Sequence, residues 1–269
     1  MQVSPVELET CGSCNIQPLV DMLSPNQSTI IDDINGNKNS ETNPVKNLFD
    51  TINNLNQDAY GPRDKKIRDP NTVILWLQFP NELISDLANS IVLPTDSDDE
   101  KMEKIQKWVV ENIEYMTDEQ QYGYEELWIP PVMVLKTNKG DCEDGAFLIM
   151  SLGLNSGVDP ERLRMYGGFV DAGPGAASGG HGWVAYRRQS DDEWIAVDFS
   201  YYPDLRPMDD RIPLKDDEKY VEDYFFITNQ YTMITENTNS IRNPEVYFPD
   251  GSLTPNVFFP NGFILSRYA

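Results

Sequence analysis

Three residues of this chain can do covalent chemistry together: Cys142, His181 and Asp198. Cys142 lies in Lys139-Gly140-Asp141-Cys142-Glu143-Asp144-Gly145-Ala146, just before the apolar run Ala146, Phe147, Leu148, Ile149, Met150, Leu152, Leu154. Asp141 is a good helix N-cap, so Cys142 falls in the first turn of a helix. Unpaired backbone N–H groups and the positive end of the helix dipole favour a thiolate there. Asp141, Glu143 and Asp144 work against it, because neighbouring negative charge holds a thiol protonated. The cysteine therefore needs a basic partner. His181 is the chain's single histidine. A thiol, an imidazole and a carboxylate that orients the imidazole make up the nucleophile–base–orienter arrangement of acyl transfer.

The elements that must bring them together can be read from the flanking residues. Gly179-Gly180-His181-Gly182-Trp183-Val184-Ala185-Tyr186 reads as a glycine-rich entry into a strand, and Glu193-Trp194-Ile195-Ala196-Val197-Asp198-Phe199 as a second strand. Gln189-Ser190-Asp191-Asp192 between them has turn composition. With Arg188 facing Glu193, Trp183 faces Asp198 and His181 faces Ser200. His181 and Asp198 then share a sheet face as diagonal neighbours about 7–8 Å apart along the backbone, within side-chain reach. A one-residue slip would send Asp198 to the other face.

Gly-Asp-Cys-Glu-Asp before an apolar helix, His-Gly-Trp on a strand and Trp-Ile-Ala-Val-Asp on the next resemble the transglutaminase-like superfamily. The nearest likeness is to its bacterial and phage branch of cysteine peptidases. Ile105-Gln106-Lys107-Trp108-Val109-Val110-Glu111-Asn112-Ile113-Glu114-Tyr115 and Trp128-Ile129-Pro130-Pro131 resemble the helix and the Trp/Pro segment that precede the family's cysteine. The resemblance spans roughly residues 97–205. It implies an α+β fold, with a nucleophile helix packed on an antiparallel sheet in a papain/transglutaminase-like core. It also implies Cys142 as nucleophile, His181 as base, Asp198 as its orienter and no cofactor. The backbone N–H of Cys142 is a candidate oxyanion donor, and no side chain is assigned to that role. Trp128, Trp183 and Tyr122 are candidates to line the substrate cleft, Trp128 being equally well explained as core. The activity implied is that of a cysteine peptidase or a protein-glutamine acyltransferase. The alternative is a structural component of a particle such as a tailed-phage virion.

The rest of the chain bounds these readings. Its 269 residues carry 21 basic and 44 acidic side chains, a net charge of −23. Such a surface repels nucleic-acid phosphates and anionic membranes. It suits solubility, a basic partner, or a high-salt or calcium-rich setting. No apolar run reaches the roughly 18–20 residues of a membrane span, and the first residues lack the pattern of a signal peptide. The expected location is a cytoplasm or a virion.

Residues 1–47 read as an extended arm, 48–235 as the catalytic-type domain and 236–269 as a β/loop extension. The arm holds Cys11-Gly12-Ser13-Cys14, which lacks partners in its own chain for a zinc site and suits either half of a site shared between chains or two inert thiols. Leu48, Phe49, Ile52 and Leu55 recur with helical spacing. Ser97-x-x-Glu100 is a capping box opening a helix over 98–114, and Tyr224-Phe225-Phe226-Ile227 is a strand candidate. The arm and the apolar tail Phe258, Phe259, Phe263, Ile264 and Leu265 are expected to contact other protein chains.

Overall fold

The computed structural model describes residues 76–171, 178–230 and 232–234, with two short stretches at 60–61 and 66–67. The arm with Cys11 and Cys14, the apolar repeat at 48–55 and the tail at 258–265 lie outside the described residues.

Strands β1 (Tyr60–Gly61) and β2 (Lys66–Ile67) pair antiparallel. Helix α1 (Glu82–Ile91) opens where the Asn81 side chain accepts from the Ile84 N–H. Helix α2 (Asp98–Asn112) opens on the expected capping box, with Ser97 accepting from the Glu100 N–H and Glu100 reaching back to the Ser97 N–H. Its Met102, Ile105, Gln106 and Val109 are buried. The chain continues through β3 (Glu114–Tyr115), the single turn α3 (Asp118–Gln121), α4 (Pro131–Thr137) and β4 (Lys139–Gly140). Strands β3 and β4 pair in parallel, Tyr115 beside Gly140, so β4 delivers the chain directly to the helix that opens on Cys142.

That helix, α5, spans Cys142–Asn155, and every residue from Glu143 to Leu154 is buried. A helix apolar on all sides belongs in the middle of a domain. Accordingly, α5 packs on α1, α2 and α4 and on the two following strands. Those are β5 (Leu163–Val170) and β6 (Gly179–Arg187), followed by β7 (Trp194–Val197), β8 (Tyr220–Ile227) and β9 (Thr232–Ile234). The sheet order is β7-β6-β5-β8-β9, and every neighbouring pair is antiparallel. This is the expected α+β layering.

The β6–β7 register matches the expectation: Val184 faces Val197 and Arg187 faces Trp194, and the Arg188 N–H donates to the Glu193 carbonyl at 3.1 Å. Asp192 closes the turn at φ 59°, a conformation aspartate tolerates. Register puts Tyr166, Trp183 and Phe226 on one face, where they form a core with Val170, Ala185, Leu214 and Tyr220. The alternate residues, from Gly182 and Val184 onward, turn toward α5, and Gly182 meets Glu143 of its first turn.

Candidate active site

Asp141 takes the N-cap position of α5, with extended backbone, but its side chain makes no capping hydrogen bond. Sequence pattern alone favours the cap. Instead the carboxyl belongs to a cluster with Asp118 and Asp144, whose oxygens lie within 4.8 Å of one another. Cys142 opens the helix, half-buried, and its thiol donates to Glu143 Oε2 at 3.1 Å.

The hairpin brings His181 and Asp198 together as parity requires. His181 Nε2 donates to Asp198 Oδ2 at 2.7 Å, with both side chains almost completely buried. The His181 ring and the Cys142 side chain line the same cleft, and Cys142 acts electrostatically on the ring. Since Nε2 is taken by Asp198, Nδ1 is the nitrogen left for the thiol. Burial opposes charging this imidazole, but the Asp198 carboxylate and Cys142 outweigh it and hold the group at about 10. Burial likewise pushes the Asp198 carboxyl up, yet His181, Tyr220 and the Ser200 N–H leave it below the usual carboxylate range.

Asp198 is anchored on every side. Its Oδ1 accepts from the Ser200 N–H at 3.0 Å and the Tyr201 N–H at 3.3 Å. Its Oδ2 also accepts from the Tyr220 hydroxyl at 2.8 Å. Its backbone carbonyl accepts from Gln106 Nε2 at 2.8 Å, and the Gln106 side-chain oxygen accepts from Arg211 at 2.6 Å. The next residue, Phe199, lies so close to α5 that a Cβ at Gly145 would sit 2.2 Å from its ring. Glycine there lets the segment that bears Asp198 seat against α5.

Cys142, His181, Glu126, Trp128, Glu143, Met165, Gly168 and Phe225 are among the residues lining a cleft of about 130 Å³. Trp128 lines it while donating its indole N–H to Glu126 at 2.9 Å. Trp183 does not: it is fully buried behind the imidazole, stacked on His181 at 5.9 Å and on Tyr166 at 5.7 Å. Its place is with Tyr166, Tyr220 and Phe226 in the core on the sheet face away from α5. Tyr122 is not among the lining residues either; its hydroxyl accepts from Gln121 Nε2 at 2.6 Å.

The acidic residues around the cysteine behave differently from a run of surface charge. Burial pushes Asp118 up to about 8 and Glu126 up to about 7, and raises Asp141, Glu143 and Asp144 as well. Asp118 Oδ1, Asp141 Oδ1 and Asp144 Oδ2 are buried without hydrogen-bond partners. Three convergent carboxylates with unpaired buried oxygens fit a hard divalent cation, which takes oxygen ligands. The other oxygens serve the backbone: Asp118 accepts from the Leu127 N–H, and Asp144 from the Ile129 N–H at 3.0 Å. Sequence reading missed Asp118, Glu126, Gln106, Arg211 and Tyr220. Only Glu126, two residues from a Trp already singled out, carried a local signal.

Comparison with known proteins follows this geometry. Residues 85–199 match the family described as the Transglutaminase-like superfamily. No curated protein sequence matches the chain. Among solved structures, EGTA-treated LapG of Legionella pneumophila is similar with a TM-score of 0.44 and 14% identity over 71% of this chain and 87% of that one. Calcium-bound LapG gives a TM-score of 0.44 and 14% identity over 70% and 88%. A structure titled as a putative cysteine protease from Cytophaga hutchinsonii gives a TM-score of 0.34 and 18% identity over 58% and 49%. The family likeness thus covers residues 85–199, the stretch that holds Cys142, His181 and Asp198.

Proposed function

We propose that Cys142, His181 and Asp198 form the catalytic triad of a cysteine peptidase or protein-glutamine acyltransferase. One observation carries this reading: a single buried imidazole bonded to Asp198 at 2.7 Å lines the same cleft as the cysteine at the start of α5. With the thiol proton carried on His181, the Cys142 thiolate attacks a peptide or carboxamide carbonyl in the cleft. The backbone N–H of Cys142 is the candidate donor to the oxyanion. His181 then gives the proton to the departing amine or ammonia, leaving a thioester on Cys142. Water attacks the thioester in hydrolysis, and a lysine amine attacks it in transamidation. His181 accepts the proton of either, and Asp198 holds the ring throughout.

The substrate in either case is protein or peptide. The test is covalent labelling of the site: a peptide chloromethyl ketone, which the thiolate alkylates with loss of chloride, should add mass to Cys142 in the native protein and none to His181→Ala. Equal labelling of both proteins would sink the reading.

Asp118, Asp141 and Asp144 we assign as a divalent-cation site beside the nucleophile, on the strength of their unpaired buried oxygens. Bound there, a cation would neutralise charge that otherwise opposes a thiolate one residue away. The assembly reading rests on the arm and tail, which lie outside the described residues.

A further inference from the structure

We propose that Tyr220 is a positioning residue of the site, a fourth member that fixes the Asp198 carboxylate for His181. The inference rests on the triad reading above and extends it beyond the stretch that matches the family, which ends at residue 199.

Tyr220 opens β8, two strands from β6 across the sheet, and is 1% exposed. Its hydroxyl lies 2.8 Å from Asp198 Oδ2, the same oxygen that accepts from His181 Nε2 at 2.7 Å. The Tyr220 ring is itself fixed by Trp183, at 5.0 Å between centroids, and Trp183 stacks on His181. The hydroxyl is therefore held where it is by packing that also holds the imidazole. A buried phenol needs an acceptor, and a core of this kind offers many backbone carbonyls; this one takes the catalytic carboxylate instead.

Two consequences follow from sharing one oxygen. The carboxylate cannot rotate without losing two buried hydrogen bonds at once, so the ring keeps a single orientation. The second donor also draws charge from Oδ2, which tempers how strongly Asp198 holds a proton on His181. The groups facing His181 are Cys142 from α5, Asp198 after β7 and Tyr201 in the following loop, with Asp141 acting through space from the α5 cap. Tyr220 reaches the ring through Asp198, so its removal changes the carboxylate and leaves the other groups in place.

The chain has one histidine, so a ¹⁵N-histidine-labelled sample gives a single set of ring signals to follow by NMR against pH. Tyr220→Phe should move the His181 midpoint upward by about half a unit or more, because an unshared carboxylate oxygen pairs more strongly with imidazolium. It should also slow Cys142 alkylation at neutral pH through looser ring alignment. An unchanged midpoint and an unchanged alkylation rate in a folded Tyr220→Phe protein overturn the inference.

Should that variant fail to fold, the native protein answers the question. A slowly exchanging hydroxyl proton with a nuclear Overhauser contact to the His181 ring is expected, and its absence overturns the inference. Asp198→Asn separates the two levels. If it leaves the His181 midpoint where it was, the His–Asp pair itself is refuted and Tyr220 falls with it. If it lowers the midpoint while Tyr220→Phe does nothing, only the role of Tyr220 fails.

Discussion

Gly182 of β6 lies directly against Glu143 of α5: a Cβ on Gly182 would sit 3.0 Å from both the Cα and the Cβ of Glu143. Each of the two is the chain neighbour of a reactive residue, His181 on one side and Cys142 on the other. The approach of β6 to the first turn of α5 therefore depends on a contact that an added Cβ would force apart by a few tenths of an ångström.

Gly182→Ala should push the first turn of α5 away by a few tenths of an ångström. We expect the rate of Cys142 alkylation to fall roughly tenfold or more, since small misplacements of reacting groups are costly. Thermal stability should drop much less. A variant with native reactivity would show that the contact does not set the geometry.

Cys142 should react fastest of the three cysteines in the folded protein, because an imidazole and a helix start act on it. Brief iodoacetamide treatment followed by peptide mass spectrometry reads this. Labelling of Cys11 and Cys14 with Cys142 untouched would argue against a live nucleophile.

Once a substrate is in hand, Cys142→Ala should abolish turnover with the fold intact, and His181→Ala should nearly do so, because no second histidine can substitute. Asp198→Asn should be milder than either yet still cost on the order of 10²–10⁴-fold in kcat, since it removes orientation and charge support. Native activity in Cys142→Ala would exclude covalent catalysis.

The buried carboxyls predict how stability depends on pH. Asp118 rises from 3.8 to about 8 and Glu126 from 4.5 to about 7 on folding. Groups raised in this way favour the folded state fully below their unfolded values and lose that contribution as pH climbs through their folded values. Without divalent cations, Tm should therefore fall between about pH 4 and 8. Asp118→Asn should flatten the fall and raise Tm at pH 8. A Tm that increases across this range would contradict the burial of these groups.

Calcium or magnesium added at pH 8 should raise Tm in proportion to the logarithm of its concentration. A chelator should reverse the gain, and Asp144→Asn should remove most of it. No response to either ion would leave protons, rather than a cation, as the cluster's partner.

How far the sequence spoke depended on range. The hairpin was legible because its turn residues, its alternation and the lone histidine all lie within some twenty positions, so parity alone placed Asp198 beside His181. Trp183 was misplaced by the same local view, since sequence shows that it neighbours the histidine but not which core its face joins. Tyr220 and Gln106 meet Asp198, and Arg211 meets Gln106, only where β8, α2 and the loop before β8 pack together, and nothing near them in the chain announces it. The acids around Cys142 were visible, but sequence shows their charges and not their burial. Read as surface charge they only oppose a thiolate; enclosed with Asp118 they become a cluster that demands protons or a cation.

The Ile129 N–H bond to Asp144 fastens the segment that bears Trp128, one wall of the cleft, to the same helical turn that bears Cys142. Wall and nucleophile cannot be moved independently. A substrate too wide for the cleft can enter only by prising Trp128 outward, and that movement drags the sulfur off its line with the imidazole. Discrimination against bulky chains should consequently appear as slow turnover of substrates that bind well, a kcat effect with little change in KM.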